Sequence, residues 1–273
     1  MAYKNPLPSV DDETVQFSKL KERKTEDSSE NDYTIKKLVY FAFIDVLGFK
    51  KTFDDNRKND ADDFADKYRK VFNYYFELMN AAKFMRDRKS TGCYAGQTSD
   101  SLYFYTSRID ILTEFIKIYS HFNLYAMSED VFFRGGIAKG NLYIKEDYQF
   151  YGDSVIYAYL LESSISKNPI IVIDEKTYND ITKIDNIESL IITKKTRHYI
   201  KPFAFLENSF RLAIDDTFIL QKIDVNKIRE NILNNLNLFE YDSRNFEKYT
   251  FLIEELNALG IKVVQMETHK EEK

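Results

Sequence analysis

The succession of apolar runs predicts an α+β fold, a sheet with helices packed on it, and three observations carry that expectation. The run LVYFAFIDVLGF at 38–49 is β-branched and aromatic but too short to span a bilayer, so it reads as a buried strand ending near Asp45. Between 61 and 84 the apolar residues Phe64, Tyr68, Val71, Phe72, Tyr75 and Leu78 recur at helical spacing, with Asp and Lys between them. Strand-like and helix-like stretches then alternate in an order close to βαββαββαβ.

Each further element has its own signal. In GCYAGQTSDSLYFYTS, two strand-like runs flank the turn-forming QTSDS, which predicts a β-hairpin with Asp100 at its tip. ILTEFIKIYSHFNLYAM predicts a helix, FFRGGIAKGNLYI a further pair of strands, YGDSVIYAYLLESSIS a helix that starts at Gly-Asp, and PIIVID a strand followed by a helix from Glu175. Residues 185–223 read as strand-rich. The stretches 225–238 and 244–259 read as helices, the last stopped by Gly260. Residues 1–34 mix both charges with Ser, Asn, Pro and Thr and read as a mobile tail; no internal repeat is found.

Composition excludes several function classes. The 273 residues suit one core domain with tails, 44% hydrophobic content is enough for a packed interior, and a net charge of -5 disfavours non-specific binding of nucleic acid. The 22 Phe and 20 Tyr residues recur on apolar faces and read as core, not as a base-stacking platform. No run of roughly 20 apolar residues is found and the first residues lack the order of a secretory signal, so no membrane partner is expected and the compartment reads as cytoplasm. A single cysteine, Cys93, and the scattered His121, His198 and His269 argue against a disulfide or a zinc cage.

Glycine is scarce, and seven of the eight lie between Gly48 and Gly152, which concentrates tight turns and close backbone approaches there. Within that stretch Asp45 and Asp100 each stand at a strand end. Either alone reads equally well as a turn cap. If adjacent strands bring them together, two carboxylates converge without a nearby cation, an arrangement that suits hard divalent ions. Gly48 and Phe49 would let backbone N–H groups approach phosphate oxygens. Arg134 reads as a phosphate contact or, equally, as a partner of a surface carboxylate, with Lys139, Lys194, Lys195 and Arg197 as weaker candidates.

FAFIDVLGF at 41–49, SDS at 99–101, RGGIAKG at 134–140, YGDSVIYAYLLES at 151–163 and PIIVID at 169–174 together resemble the class III nucleotide cyclases. Within that family the chain resembles the bacterial pyrimidine cyclases of the Pycsar antiphage defence, and RNFEKYTFLIEELN at 244–257 is similar to that subgroup's terminal helix. The resemblance implies a ferredoxin-like βαββαβ core in a catalytic domain at 35–200, with a C-terminal extension at 201–273. It implies that Asp45 and Asp100 are metal ligands, joined by the Val46 carbonyl, for two divalent ions per site, Mn²⁺ or Mg²⁺. Gly48 and Phe49 would then touch the triphosphate. The implied reaction converts UTP to 3′,5′-cyclic UMP and diphosphate, yielding a second messenger in antiviral defence, in a homodimer with sites at the interface.

Departures from the wider family shape the substrate expectation. Purine cyclases carry Asn and Arg where this chain has Ile156 and Leu160. Their purine-reading Lys corresponds to Gly96, and the companion carboxylate falls near Gln149, whose amide matches the edge of uracil or, turned over, of cytosine. CTP therefore stands beside UTP as substrate. A non-enzymatic cyclase-like domain that dimerises or senses nucleotide is the competing class.

Overall fold

The structure, a computed structural model, describes residues 35–49, 61–86, 92–144, 150–184, 187–207 and 211–261. The expected tail at 1–34 lies outside them. Central to the fold is strand β1, Ile35–Val46. Its Tyr40, Ala42, Ile44 and Val46 pack into one core while Val39 and Phe41 pack into another, so both faces are covered and the stretch Leu38–Ile44 is apolar throughout.

β1 pairs antiparallel with β3 (Ser101–Thr106) on one side and with β4 (Phe133–Ile144) on the other. β2 (Tyr94–Thr98) joins β3 through a two-residue turn, and β5 (Phe150–Tyr151) adds to β4. Beyond β4 lie β6 (Ile171–Ile173), which pairs with it in parallel, and the hairpin of β7 (Ile191–Lys194) and β8 (Arg197–Ile200). The eight strands run in the order β2-β3-β1-β4-β6-β8-β7, with β5 on β4.

Helices α1 (Ala61–Ala81) and α2 (Ile109–Ser128) cover one face, around Tyr75, Phe104, Phe115 and Phe122. α3 (Asp153–Leu160) lies on the other face and runs on into a single π-helical turn, Leu161–Ile165. α4 (Glu175–Ile181) is capped by Asp174, whose carboxylate accepts the Thr177 N–H at 2.8 Å. After the short α5 (Ala204–Glu207), α6 (Val225–Leu238) and α7 (Ser243–Ala258) close over the end of α2, burying Ile228, Ile232, Tyr249, Leu252 and Leu256 against Leu124, Met127 and Phe132.

Two sequence expectations are corrected. FFRGGIAKGNLYI forms the single strand β4, not a strand pair. Its glycines make room instead of turning the chain: a Cβ on Gly136 would lie 2.3 Å from the Ala158 carbonyl oxygen and 2.5 Å from the Leu161 Cβ. The 185–223 stretch is less strand-rich than expected, because between Ile200 and residue 223 the described residues form only α5 and an isolated bridge between Ala82 and Ile214.

The Gly136 contact sets how deeply α3 sits on the sheet. Gly136→Ala should therefore destabilise the protein by about 1–3 kcal/mol, the usual cost of overpacking where backbone must yield. Denaturant unfolding measures it, and an unchanged midpoint would show that α3 is not seated by this glycine.

Candidate functional site

In an antiparallel ladder, residues directly opposite each other place their side chains on the same face. Asp45 stands opposite Ser101 on β3 and opposite Arg134 on β4. The Ser101 hydroxyl donates to Asp45 Oδ1 at 2.8 Å. Asp100 precedes Ser101 in the tight turn, where Ser99 takes a left-handed φ of 55° and Gln97 Nε2 donates to the Ser99 carbonyl at 2.7 Å. One register thus brings Asp45, Asp100 and Arg134 together.

Burial pushes the Asp45 carboxyl up, and the Asp100 charge adds to the rise. The Ser101 hydrogen bond, the Arg134 charge and the Val46 N–H oppose it. A carboxylate raised by desolvation and by a like charge gains most from a cation. Among the described residues no group of three or more His, Cys, Asp and Glu side chains is arranged to hold a metal; the residues that could hold a cation here are the two carboxylates Asp45 and Asp100, which main-chain oxygen would have to supplement. Oxygen-only donors of this kind fit Mg²⁺ or Mn²⁺, which complete their shells with water and phosphate oxygens.

Gly48, with φ of 78°, turns the chain just after β1, and the Phe49 ring packs edge-on against Tyr68 at 5.1 Å. Gly96 is covered by its cross-strand neighbour: a Cβ there would lie 2.4 Å from the Tyr103 hydroxyl oxygen. A long side chain at position 96 would have to displace that ring. Gln149 lies outside the described residues. Of the weaker cations, Lys194 is tied to Glu255, while Lys139 pairs with Asp180 at 2.5 Å and stands opposite Tyr40, roughly 16 Å along β4 from Arg134 at strand spacing. Lys195 and Arg197 sit exposed at the β7–β8 turn. A polar cavity of about 520 Å³ opens near Lys139, Asn141, Asp153 and Asp180, away from the Asp45 end of β1.

Two residues escaped the sequence reading. Glu162, in the π-helical turn, is only 3% exposed and lies 2.6 Å from Arg134 Nη2. The approach lacks hydrogen-bond direction, leaving Glu162 Oε1 and Arg134 Nε buried without hydrogen-bond partners. Burial raises the Glu162 carboxyl to about 7 against the pull of Arg134, with Asp45 and Asp100 adding to the rise. A signal was present: Ser154, Ala158 and Glu162 are spaced four apart, so Glu162 continues the buried stripe of the helix. Lys248 on α7 is the other. Burial lowers its ammonium, as do the charges of Arg134 and Arg244, and the neighbouring Tyr249 ring meets Phe132 at 5.2 Å, which places this helix beside the start of β4.

No family model and no curated protein matches this chain. Solved structures do resemble it. One is the monomeric guanylyl cyclase domain of the RhoGC fusion protein from the aquatic fungus Blastocladiella emersonii, at 17% identity and a TM-score of 0.43, covering 62% of this chain and 98% of that one. Another is the guanylate cyclase domain of RhGC from Catenaria anguillulae in complex with GTP, at 16% identity and 0.40, covering 61% and 97%. A third, of Trypanosoma brucei adenylate cyclases in their monomeric state, has 10% identity and 0.44, covering 61% and 88%. These neighbours are cyclase domains. Likeness at this level carries no assignment of activity or substrate, which has to come from the site's own residues.

Glu162 makes the site's charge measurable without any ligand. Its folded-state pKa lies above the unfolded value, so between about pH 4.5 and about 7 the folded chain holds the extra proton and metal-free stability falls as pH rises. Glu162→Gln should flatten that fall relative to wild type. Parallel stability–pH profiles for the two proteins, from thermal unfolding in chelator, would contradict the burial argument.

Proposed function

We propose that residues 35–200 form a nucleotide cyclase domain that converts UTP to 3′,5′-cyclic UMP and diphosphate, with residues 201–273 as an extension. The observation that carries this reading is the meeting of Asp45 and Asp100 at the end of the central strand with Arg134 on the same face. The ordered motifs that resemble the Pycsar pyrimidine cyclases supply the reaction class and the role as a second-messenger source in antiviral defence.

In cyclisation the ribose O3′ bonds to the α-phosphorus, the α-phosphorus–oxygen bond to the β-phosphate breaks, and diphosphate leaves. Divalent ions held by Asp45, Asp100 and the Val46 carbonyl would supply the positive charge that favours loss of the 3′-hydroxyl proton and offsets the phosphate charge. The protein's part is positional. Ser101 and the Val46 N–H hold the Asp45 carboxylate, and the tight turn keeps Asp100 within the same charge field. Arg134 offers guanidinium donors to phosphate oxygens. Gly48 and Phe49 present main-chain N–H groups to the triphosphate.

Base choice falls to Gln149 and to the Tyr103 ring over Gly96. The amide suits uracil in one orientation and cytosine in the other, so CTP is the alternative substrate. Tyr151, Ile156, Tyr157 and Tyr159 are exposed large hydrophobic side chains on β5 and α3, and this apolar face supports a homodimer. The rival reading, nucleotide binding without catalysis, draws on Ile156 and Leu160 standing where purine cyclases carry Asn and Arg.

With Mn²⁺ and each of the four ribonucleoside triphosphates in turn, the purified protein should make a cyclic product and diphosphate from UTP above all. Asp45→Ala and Asp100→Ala should each abolish that product while leaving the fold intact by circular dichroism. Binding of nucleotide with no product from any of the four would favour the rival reading. Gln149→Ala should narrow the UTP to CTP ratio in kcat/KM by about one order of magnitude, the worth of one fixed hydrogen bond. An unchanged ratio in a folded variant would remove Gln149 from base reading.

A further inference from the structure

Arg134 stands directly opposite Asp45 in the β1–β4 ladder and on the same face, the position from which an arginine ordinarily forks onto a carboxylate. Yet the ion pair it makes among the described residues is with Glu162, at 2.6 Å. Only a quarter of the Arg134 side chain is exposed, and the partner it takes is the buried Glu162 in preference to the half-buried Asp45 and Asp100. Three contacts along β4 deliver Glu162 to that point. A Cβ on Gly140 would touch the Ser154 backbone, Gly136 meets Ala158, and one helical turn farther on Glu162 meets Arg134. The π-helical turn at Leu161–Ile165 then ends with the Ser166 N–H donating to the Leu161 carbonyl at 2.8 Å.

We propose that Glu162 is a positioning residue that holds the Arg134 guanidinium off Asp45 and Asp100, keeping the carboxylate pair open to a divalent cation. Without it, Arg134 keeps its charge and its place in the ladder, and the nearest carboxylates are those of the cation site. The arginine then acts as an internal competitor for the metal. With Glu162 present, one arm of the guanidinium is held and the others remain for an anionic ligand. This inference rests on the cation-binding reading of Asp45 and Asp100 and adds the group that keeps the site vacant of its own arginine.

The test is Mn²⁺ binding to the nucleotide-free protein, followed by electron paramagnetic resonance of the free ion, with folding checked by circular dichroism. Wild type should bind Mn²⁺ and Asp45→Ala should not. Glu162→Ala should weaken binding at least tenfold, and Glu162→Gln, which keeps the side-chain volume, should weaken it in the same direction and carries the test if the alanine variant does not fold. The deciding arm is the double variant: adding Arg134→Gln to the Glu162 variant should restore affinity to within about threefold of Arg134→Gln alone. A purely structural role for Glu162 would give no such rescue. Wild-type affinity in the Glu162 variants, or no recovery in the double variant, overturns the proposal alone. No Mn²⁺ binding by wild type overturns the cation-site reading and the proposal with it.

Discussion

The register of one strand governs the site. β1 is paired on both edges, so no residue of it can shift without breaking two ladders and turning its buried side chains to the wrong face. That constraint places Asp45 between Ser101 and Arg134 and fixes Asp100 one residue beyond, in a turn too short to allow slippage. The apolar faces of β1 are thus the reason that polar residues at its end meet at all. Helices α1 and α2 on one side and α3 on the other hold the register from both faces.

The charges so assembled are poorly matched within the protein itself. Asp45 is raised by burial and by Asp100, Glu162 is raised to about 7, and Arg134 Nε and Glu162 Oε1 lack hydrogen-bond partners. Cores ordinarily avoid such groups, because each unsatisfied buried polar atom costs on the order of 1–3 kcal/mol. Other such atoms occur singly in the described residues, the Tyr75 hydroxyl and His121 Nδ1 among them, whereas at this strand end an unsatisfied arginine nitrogen and an unsatisfied carboxylate oxygen belong to one ion pair. His121 makes the contrast plain. It is buried and pushed down to about 4 by burial alone; its Nε2 meets the Tyr74 hydroxyl at 2.8 Å within an aromatic cluster while its Nδ1 lacks a partner, so it is strained by desolvation without the opposed charges found at the strand end.

Much of this was legible in the sequence, for physical reasons that differ from residue to residue. A β-branched run ending in Asp-Val-Leu-Gly and a polar QTSDS between alternating strands report local geometry, so Asp45 at a strand end and Asp100 in a hairpin tip could be read directly. FFRGGIAKGNLYI misled because two adjacent glycines signal a turn locally, whereas here they admit the backbone of β1 and the helix α3. That cause is tertiary and leaves no local trace. Glu162 sat in the polar-looking LLESS and resembled an exposed helix end. Its buried register with Ser154 and Ala158 becomes meaningful only once α3 is known to lie on the glycines of β4. Lys248 was hidden by distance, being a C-terminal residue that α7 carries back to the start of β4.

The central claim is that Asp45 and Asp100 together bind the cations that serve a nucleoside triphosphate. It is tested most directly by a crystal structure of the protein grown with Mn²⁺ and a non-reactive UTP analogue, with diffraction recorded at the manganese absorption edge. The account predicts anomalous density bonded to carboxylate oxygens of both Asp45 and Asp100, with phosphate oxygens completing the shell and Arg134 still on Glu162. Bound nucleotide with manganese elsewhere, or with Arg134 folded onto Asp45 in place of the ion, would contradict it.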